Sequence, residues 1–125
     1  MLYLPIDHPK FTTNYTKVWC EDAEDMKFNA PHHFKVTDSS GLNEISKIDF
    51  QEGPIKEHGV NGVCNEDLIL MVVCRLEGFQ KSEYACKENA EALEHLYAAV
   101  DALRSRTNRR VAAGVEGTSA LDPKE

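Results

Sequence analysis

The chain has 125 residues, of which 42% are hydrophobic, and its formal net charge is −7. This length fits one domain, and the acidic balance disfavours duplex nucleic acid and anionic membranes as partners, because both attract basic proteins. No apolar run reaches the roughly 18–20 residues of a membrane span, and the start of the chain lacks the features of a signal peptide. We therefore expect a single soluble, cytoplasmic domain over 1–125.

Residues 1–62 are predicted to be rich in β-structure. Near the N-terminus, apolar side chains alternate as they do in a strand, at Leu2, Leu4 and Ile6. Pro5 restricts that strand to a sheet edge, because proline lacks the N–H that a central strand needs. The turn residues 38–41 separate two β-prone runs and predict a hairpin. We expect a small antiparallel sheet, followed by a glycine-rich connector with a tight turn at Asn61.

Residues 63–118 are predicted to form an antiparallel two-helix hairpin. Asn65 is a suitable N-cap for a first helix ending at Gly78, and Ser82 for a second helix from Glu83 to Ala112. The second helix carries an apolar seam with alternating spacings of four and three residues: Asn89, Leu93, Leu96, Val100, Leu103 and Thr107. This heptad spacing favours near-antiparallel packing. Residues 119–125 are predicted to be a loose tail.

The first helix is apolar almost all round between Leu68 and Val73. A helix with that pattern is usually buried on several sides. A small domain has few surfaces with which to cover it, so a second subunit is the natural partner. The predicted fold is therefore an oligomeric α+β protein.

Residues that carry metal or catalytic chemistry are not found in recognised spacings. The four cysteines form no C-x-x-C pair, and the five histidines show no ligand motif with cysteines or acids. No serine or cysteine lies in a nucleophile motif. We therefore predict reduced cysteines, no metal, no cofactor and no enzymatic activity.

Two groups of side chains could bind a ligand. Arginines crowd the end of the second helix, at Arg104, Arg106, Arg109 and Arg110. Guanidinium groups match phosphate geometry, although cations at a helix C-terminus also interact favourably with its dipole and need no ligand. The second group lies at the bend of the hairpin and consists of Phe79, Gln80 and Asn89; each of these could equally serve packing alone.

The spacing of these groups has a consequence for any shared site. Asn89 and Arg106 are 17 residues apart on one predicted helix, hence roughly 25 Å. They cannot contact one small ligand within a single subunit. A site that uses both ends of the hairpin therefore requires at least a dimer.

Several strings in fixed order resemble one protein family: IDFQEGPIKEHGVNGVCNEDLI, RLEGFQ, EYACKENAEALEHL and RSRTNRRVAAGVEGT. They are similar to the phage Thoeris anti-defence one family, which shares its helical hairpin with an anti-CBASS sponge family. The resemblance covers about residues 34–118. It implies non-catalytic capture of immune second messengers in the cytoplasm of the infected bacterium, with isomers of glycocyclic ADP-ribose (gcADPR) as ligands. Some hexameric members also hold cyclic di- or trinucleotides.

Carried over by position, the resemblance implies a set of ligand contacts. Phe79 matches the base-stacking residue, Asn89 the polar residue of the hairpin and Arg106 the C-terminal arginine of the family pattern. The remaining implied or candidate positions are Gln80, Thr107, Arg109, Lys56, Asn61, Arg104 and Arg110. The implied partners are a cyclic ADP-ribose-type nucleotide and further copies of the chain, as a homodimer or homohexamer.

Two other functions remain open at this stage. The hairpin could be a protein-interaction or assembly module without a ligand. The chain could also be a phosphodiesterase that degrades such messengers. Binding that returns the messenger intact distinguishes the predicted function from both.

Overall fold

The computed structural model of the chain describes residues 1–122 and contains two compact units, one spanning Met1–Val63 and one beginning at Cys64. The first unit is a four-stranded antiparallel sheet, and the second contains two long helices. The predicted α+β class, with a small N-terminal sheet followed by helices, is confirmed. The boundary falls one residue after the predicted end of the β-rich part, and the assignment of both parts to a single domain stays a prediction.

The sheet has the simplest possible strand order, β1-β2-β3-β4, with every neighbour antiparallel. Its strands are β1 (Tyr3–Pro5), β2 (Thr16–Glu21), β3 (His33–Asp38) and β4 (Glu44–Asp49). Pro5 lies on the edge strand β1, as predicted, where its missing N–H breaks no ladder in the middle of the sheet. The chain therefore folds back on itself at each strand, and all pairings are local.

The turn between β3 and β4 is held by the carboxylate of Asp38. Ser40 donates to this carboxylate at 2.6 Å, as does the side-chain amide of Asn43, and the backbone N–H of Gly41 donates at 3.1 Å. These hydrogen bonds, led by those from Ser40 and Asn43, lower the pKa of Asp38 to about 2. Gly41 has a φ of +80°, which a residue with a side chain rarely adopts. The predicted hairpin turn is confirmed.

Strand β2 is an element that sequence patterning did not predict. Its single tryptophan, Trp19, donates an indole hydrogen bond to the hydroxyl of Thr37 on β3 at 2.9 Å. The ammonium of Lys35 lies 5.1 Å from the ring centres of both Trp19 and Tyr3. These contacts join three strands on one face. Polar residues at both ends of β2 obscure the alternation of apolar and polar side chains that identifies a strand. The strand is therefore recognisable only from its pairing with β1 and β3.

The two long helices form the predicted antiparallel hairpin. They are α2 (Asn65–Gln80) and α3 (Lys87–Ala112), which pack against each other, whereas a single helical turn, α1 (Ile55–His58), belongs to the first unit. The buried Val73 and Leu93 lie at similar distances before and after the short connection, as antiparallel packing requires. All six residues of the predicted seam are buried or half-buried. The heptad pattern is confirmed.

Three predicted helix ends are wrong. Helix α2 begins at Asn65 with Cys64 as the N-cap, because the carboxylate of Asp67 accepts the Cys64 N–H at 2.8 Å. It also continues through Gly78 to Gln80, since one exposed glycine weakens a helix by only about 1 kcal/mol. Helix α3 starts at Lys87 rather than Glu83. The intervening residues form a turn in which the hydroxyl of Ser82 donates to the carbonyl of Phe79.

The apolar surface of α2 is only partly covered by the described chain. Val73 is buried, whereas Leu70 is 66% exposed, Met71 60% and Val72 46%. The predicted burial of α2 on several sides is therefore not achieved within residues 1–122. Over the same residues, none of the helices is long and apolar enough to cross a membrane.

Candidate functional site

The arginines at the end of α3 occupy different environments. Arg104 and Arg106 are exposed, Arg109 is half-buried, and Arg110 is buried with 5% of its surface accessible. Arg106, Arg109 and Arg110 are spaced by three and four residues and share one face of the helix, whereas Arg104 lies off that face. The four residues predicted as one basic group are thus not equivalent.

Arg110 organises the segment that follows α3. Its guanidinium donates to side-chain and backbone oxygens of this segment, those of Glu116, Asp122, Val115, Thr118 and Ala120. The segment therefore wraps around one buried cation. Arg110, a predicted ligand contact, lies inside the wrapped segment in the structure. Its guanidinium binds Ala120 and Asp122, which both fall within the predicted loose tail 119–125. Residues 123–125 lie outside the described part of the chain.

Asp122 is the point at which three guanidinium groups meet. Arg106 binds it with two parallel hydrogen bonds of 2.8 and 2.9 Å, Arg110 donates at 2.7 Å, and Arg109 lies 3.7 Å away. Paired contacts of this kind are among the strongest that arginine makes. Arg106, followed by Arg110, holds the pKa of Asp122 below its usual value, and Asp122 raises the pKa of Arg106.

We call these four residues the Asp122 cluster: Arg106, Arg109, Arg110 and Asp122. The cluster is an anion site whose anion is supplied by the chain itself. Carboxylate and phosphate oxygens are recognised by guanidinium in the same geometry. Thr107, in the seam, donates its hydroxyl to the carbonyl of Leu103 one turn earlier at 3.2 Å. The Thr107 hydroxyl is thus hydrogen-bonded within α3 in this structure.

The bend of the hairpin presents an aromatic ring. Phe79 is 37% exposed, and the guanidinium of Arg75, one turn earlier on α2, lies 5.2 Å from its ring centre. Arg75 was not predicted as part of this site, although its spacing of four residues from Phe79 on one helix indicates that the two side chains are neighbours. Asn89 is half-buried in the seam of α3. A flat ring backed by a cation is suited to stacking on a base.

Gln80 is committed to the connection between the helices. Its side-chain amide donates to the carbonyl of Cys86 at 3.0 Å, and its side-chain oxygen accepts the Cys86 N–H at the same distance. Gln80 thereby closes the six-residue connection and substitutes for a side-chain cap at the start of α3. The structure gives this predicted ligand contact a role in shaping the bend.

The two remaining predicted residues belong to the first unit. Asn61 accepts the Glu52 N–H at 2.8 Å and donates to the Glu52 carbonyl at 2.7 Å, so its side chain holds the connector in shape. Lys56 lies exposed on α1. Neither residue belongs to the same unit as the Asp122 cluster.

Helix α3 is continuous from Lys87 to Ala112, so Asn89 and Arg106 are separated by roughly 25 Å along one rigid element. The structure therefore brings Arg106, Arg109 and Arg110 together but leaves Asn89 at the opposite end of the helix. Phe79 lies beside the bend, one residue before the end of α2. The hairpin carries an arginine end and an aromatic end as separate parts.

A second cluster of ionisable groups, in the first unit, was not predicted. His33 lies 2.8 Å from a carboxylate oxygen of Asp49 through Nδ1 and 3.0 Å from one of Glu52 through Nε2. Glu21 is only 2% exposed; one of its oxygens accepts the His32 N–H, and the other has no hydrogen-bond partner among the described residues. We call Glu21, His33, Asp49 and Glu52 the His33 cluster. The hydrogen bond with Asp49, then that with Glu52 and the charge of Glu21, raises the pKa of His33 against the opposing effect of burial.

Comparison with known proteins identifies the hairpin. The model of the family described as the Acb2/Tad1 hairpin domain matches residues 43–108, which is more than half of the chain. The chain is also 41% identical over 136 residues to Thoeris anti-defense 1 of Bacillus phage SBSphiJ7, an alignment that covers 90% of this chain and 96% of that protein. The predicted family resemblance is thus confirmed, and the chain belongs to the Acb2/Tad1 hairpin family of phage anti-defence proteins.

Proposed function

We propose that this protein is a non-catalytic sponge that binds a nucleotide second messenger of the Thoeris defence and withholds it from the host effector. Membership of the family and the similarity to Thoeris anti-defense 1 over nearly the full length of both chains support the anti-defence role. The ligand class is a cyclic ADP-ribose-type nucleotide, gcADPR, with cyclic di- or trinucleotides as further candidates. Its place of action is the cytoplasm of the infected host.

The observation that carries the ligand class is the convergence of three arginines on one carboxylate. A pyrophosphate offers more oxygens and more negative charge than Asp122 does, so it competes for the same donors. In this proposal the messenger displaces Asp122 from Arg106 and Arg109, while Arg110 stays buried and keeps the surrounding segment in shape. Arg104 is the nearest additional cation along the helix.

The aromatic end supplies the recognition of the base. Phe79 stacks on the adenine with Arg75 behind its ring, and Asn89 donates to or accepts from a ribose or a base edge. Gln80 fixes the bend on which Phe79 stands. No bond of the messenger is broken in this scheme, because none of these groups needs to act as a nucleophile or base.

A complete site requires the arginine end of one copy and the aromatic end of another. The length of α3 prevents one hairpin from offering both to the same small molecule. The exposed apolar residues of α2, Leu70, Met71 and Val72, provide a surface that association would cover. A homodimer is the smallest assembly that satisfies both conditions, and a homohexamer built from such dimers satisfies them as well.

The decisive experiment incubates the purified chain with gcADPR, removes unbound ligand, and releases bound ligand by heating. Recovery of intact messenger is the expected result. Altered messenger would instead indicate a phosphodiesterase, and no depletion of free messenger would leave an assembly module. Because a sponge must outcompete the host effector, the expected affinity is nanomolar, about −12 kcal/mol.

Variants at both ends locate the site. Arg106→Ala and Phe79→Ala are each expected to abolish nanomolar capture while the helical circular dichroism is retained. Lys10→Ala and Phe11→Ala remove an exposed cation and an exposed ring from the other unit and serve as matched controls. Nanomolar capture by both hairpin variants would overturn the assignment of the site.

A further inference from the structure

The His33 cluster contains more negative charge than its hydrogen bonds balance. Three carboxylates, those of Glu21, Asp49 and Glu52, surround one imidazole. Even when His33 is protonated, two negative charges remain in excess. Exposed acids tolerate such an excess, but Glu21 is almost completely buried, and a buried charge is costly unless a cation faces it.

The unpartnered oxygen of Glu21 is the decisive detail. Buried polar atoms nearly always have a hydrogen-bond partner, and Oε2 of Glu21 has none among residues 1–122. Its other oxygen is already used by the His32 N–H at 3.0 Å. One oxygen of Glu21, one ring nitrogen of His33 and one oxygen of Glu52 all lie within 4.8 Å of one another. Three groups that can donate lone pairs to a cation therefore lie close together, and one of them is a buried carboxylate that lacks a hydrogen-bond partner.

We propose that the His33 cluster is a binding site for one divalent transition-metal cation, with Glu21, His33 and Glu52 as the ligands. Imidazole and carboxylate ligands together suit Zn²⁺, which binds nitrogen and oxygen at about 2.0–2.2 Å. Tetrahedral bonds of that length place the ligand atoms roughly 3.4 Å apart. The distances between the three atoms need to change by at most about 1.4 Å, and a water completes the fourth position.

Asp49 has the place of a supporting group in this site. A metal-binding histidine usually donates its second ring N–H to a carboxylate, which fixes the ring and its tautomer. His33 meets this condition, since Nδ1 lies 2.8 Å from Asp49 while Nε2 faces Glu52. The two residues are also register partners on β3 and β4, so the sheet itself sets the orientation of the ring.

The sequence gives no sign of this site because its ligands lie far apart along the chain. Glu21 ends β2, His33 begins β3, and Glu52 follows β4. Because neighbouring strands are antiparallel, the end of β2, the start of β3 and the end of β4 all lie at the same end of the sheet. A bound cation would tie the connector after β4 to the ends of two strands. This proposal is independent of nucleotide capture, because all its residues belong to the first unit.

The test is a calorimetric titration of the chelator-treated full chain with ZnCl₂. We expect saturable binding of one Zn²⁺ per chain. Glu21→Gln and Glu52→Gln should each weaken it by at least about tenfold, and Asp49→Asn by about 10- to 100-fold. Glu44→Gln removes an exposed carboxylate from β4 of the same sheet and should leave the affinity unchanged. Equal affinity in Glu44→Gln and both ligand variants, or no saturable binding, would overturn the proposal.

Two further measurements control for misfolding of a variant and for metal binding by cysteine. Glu21 is buried, so folding of its variant is checked without metal by Trp19 fluorescence; if that variant does not fold, the more exposed Glu52 carries the comparison. Co²⁺ then replaces Zn²⁺ as a spectroscopic probe, because Cys64, Cys74 and Cys86 are exposed thiols. A thiolate-to-cobalt absorption band would assign the metal to cysteine and contradict the proposed ligands.

Discussion

The two units of the chain each contain a charged cluster, and the clusters have opposite signs. In the sheet unit, one histidine is surrounded by carboxylates; in the hairpin unit, one carboxylate is surrounded by guanidiniums. The net charge of −7 describes neither environment. The comparison shows why total charge does not rule out a small anionic ligand: within an acidic protein, three cations can face a single carboxylate.

The clusters also differ in how completely the polar atoms of their buried side chains are hydrogen-bonded. The buried cation of the Asp122 cluster, Arg110, has oxygens for its donors, whereas the buried anion of the His33 cluster, Glu21, retains an oxygen without a partner. The first cluster is closed by the chain itself. The second is short of positive charge, which is the basis of the cation proposed above. The following predictions measure this difference.

The largest expected effect is the loss of Arg110. Arg110→Ala should destabilise the hairpin unit by roughly 2–3 kcal/mol, because several carbonyl and carboxylate groups lose their donor together. Urea unfolding followed by helical circular dichroism measures it. Arg104→Ala removes an exposed guanidinium from the same helix and should change stability by less than about 0.5 kcal/mol. Equal effects of the two variants would show that the wrapped segment adds no stability.

Removal of His33 should have a smaller effect on the other unit. In chelator-treated protein, His33→Gln should destabilise the sheet by about 1 kcal/mol, because it removes the ring that lies within hydrogen-bond distance of Asp49 and Glu52. Trp19, the single tryptophan, lies in β2 and reports unfolding of the sheet by fluorescence. His95→Gln, at an exposed position of α3, is the control. A stabilised variant would mean that the histidine is the unfavourable member of its cluster.

A change at Asp122 tests whether this residue stands in for a phosphate. Asp122→Asn removes the competing negative charge and should strengthen capture of gcADPR by about fivefold, the equivalent of one partly exposed ion pair. Glu94→Gln, an exposed position of α3, should leave the affinity as it is. Weaker capture by Asp122→Asn would show that Asp122 orients the arginines for the ligand instead of competing with it.

The smallest expected effect is on pH dependence. The pKa of Asp122 is lowered in the folded chain, so its contribution to stability is fully present above the ordinary carboxyl pKa of 3.8 and declines as the pH falls below it. Wild type should therefore be more stable than Asp122→Asn at pH 6, and the two should converge in acid. A stability difference that is undiminished between pH 6 and pH 2 would exclude the charge of Asp122 as its source.

The parts of the fold that sequence patterning predicted are those set by neighbours in the chain. The heptad seam from Asn89 to Thr107, the turn at Asp38 and the edge position of Pro5 all depend on local periodicity or on one residue's backbone chemistry. Helix ends were less predictable, because Asp67 and Gln80 cap through side chains that compete with the expected Asn65 and Ser82.

The candidate sites depended on contacts that no local pattern reveals. An arginine cluster on α3 was evident, but its division into buried Arg110 and exposed Arg104 follows from the path of the segment after the helix. The His33 cluster joins residues from three strand ends and a connector, so the adjacent pair His32 and His33 in the sequence does not predict it. The family resemblance contributed the proposed ligand, which spacing alone did not.

Asp122 gives the hairpin a built-in counter-ion. Because it is attached only ten residues beyond the end of α3, its effective concentration at the guanidiniums is fixed by the intervening chain, on the order of millimolar for a short flexible link, and does not fall on dilution. A weakly binding anion therefore has to compete with Asp122 for the arginines. Only an anion that binds the arginines more strongly than one carboxylate does can displace Asp122. The segment that carries Asp122 would therefore disfavour the binding of the common phosphates of the cell.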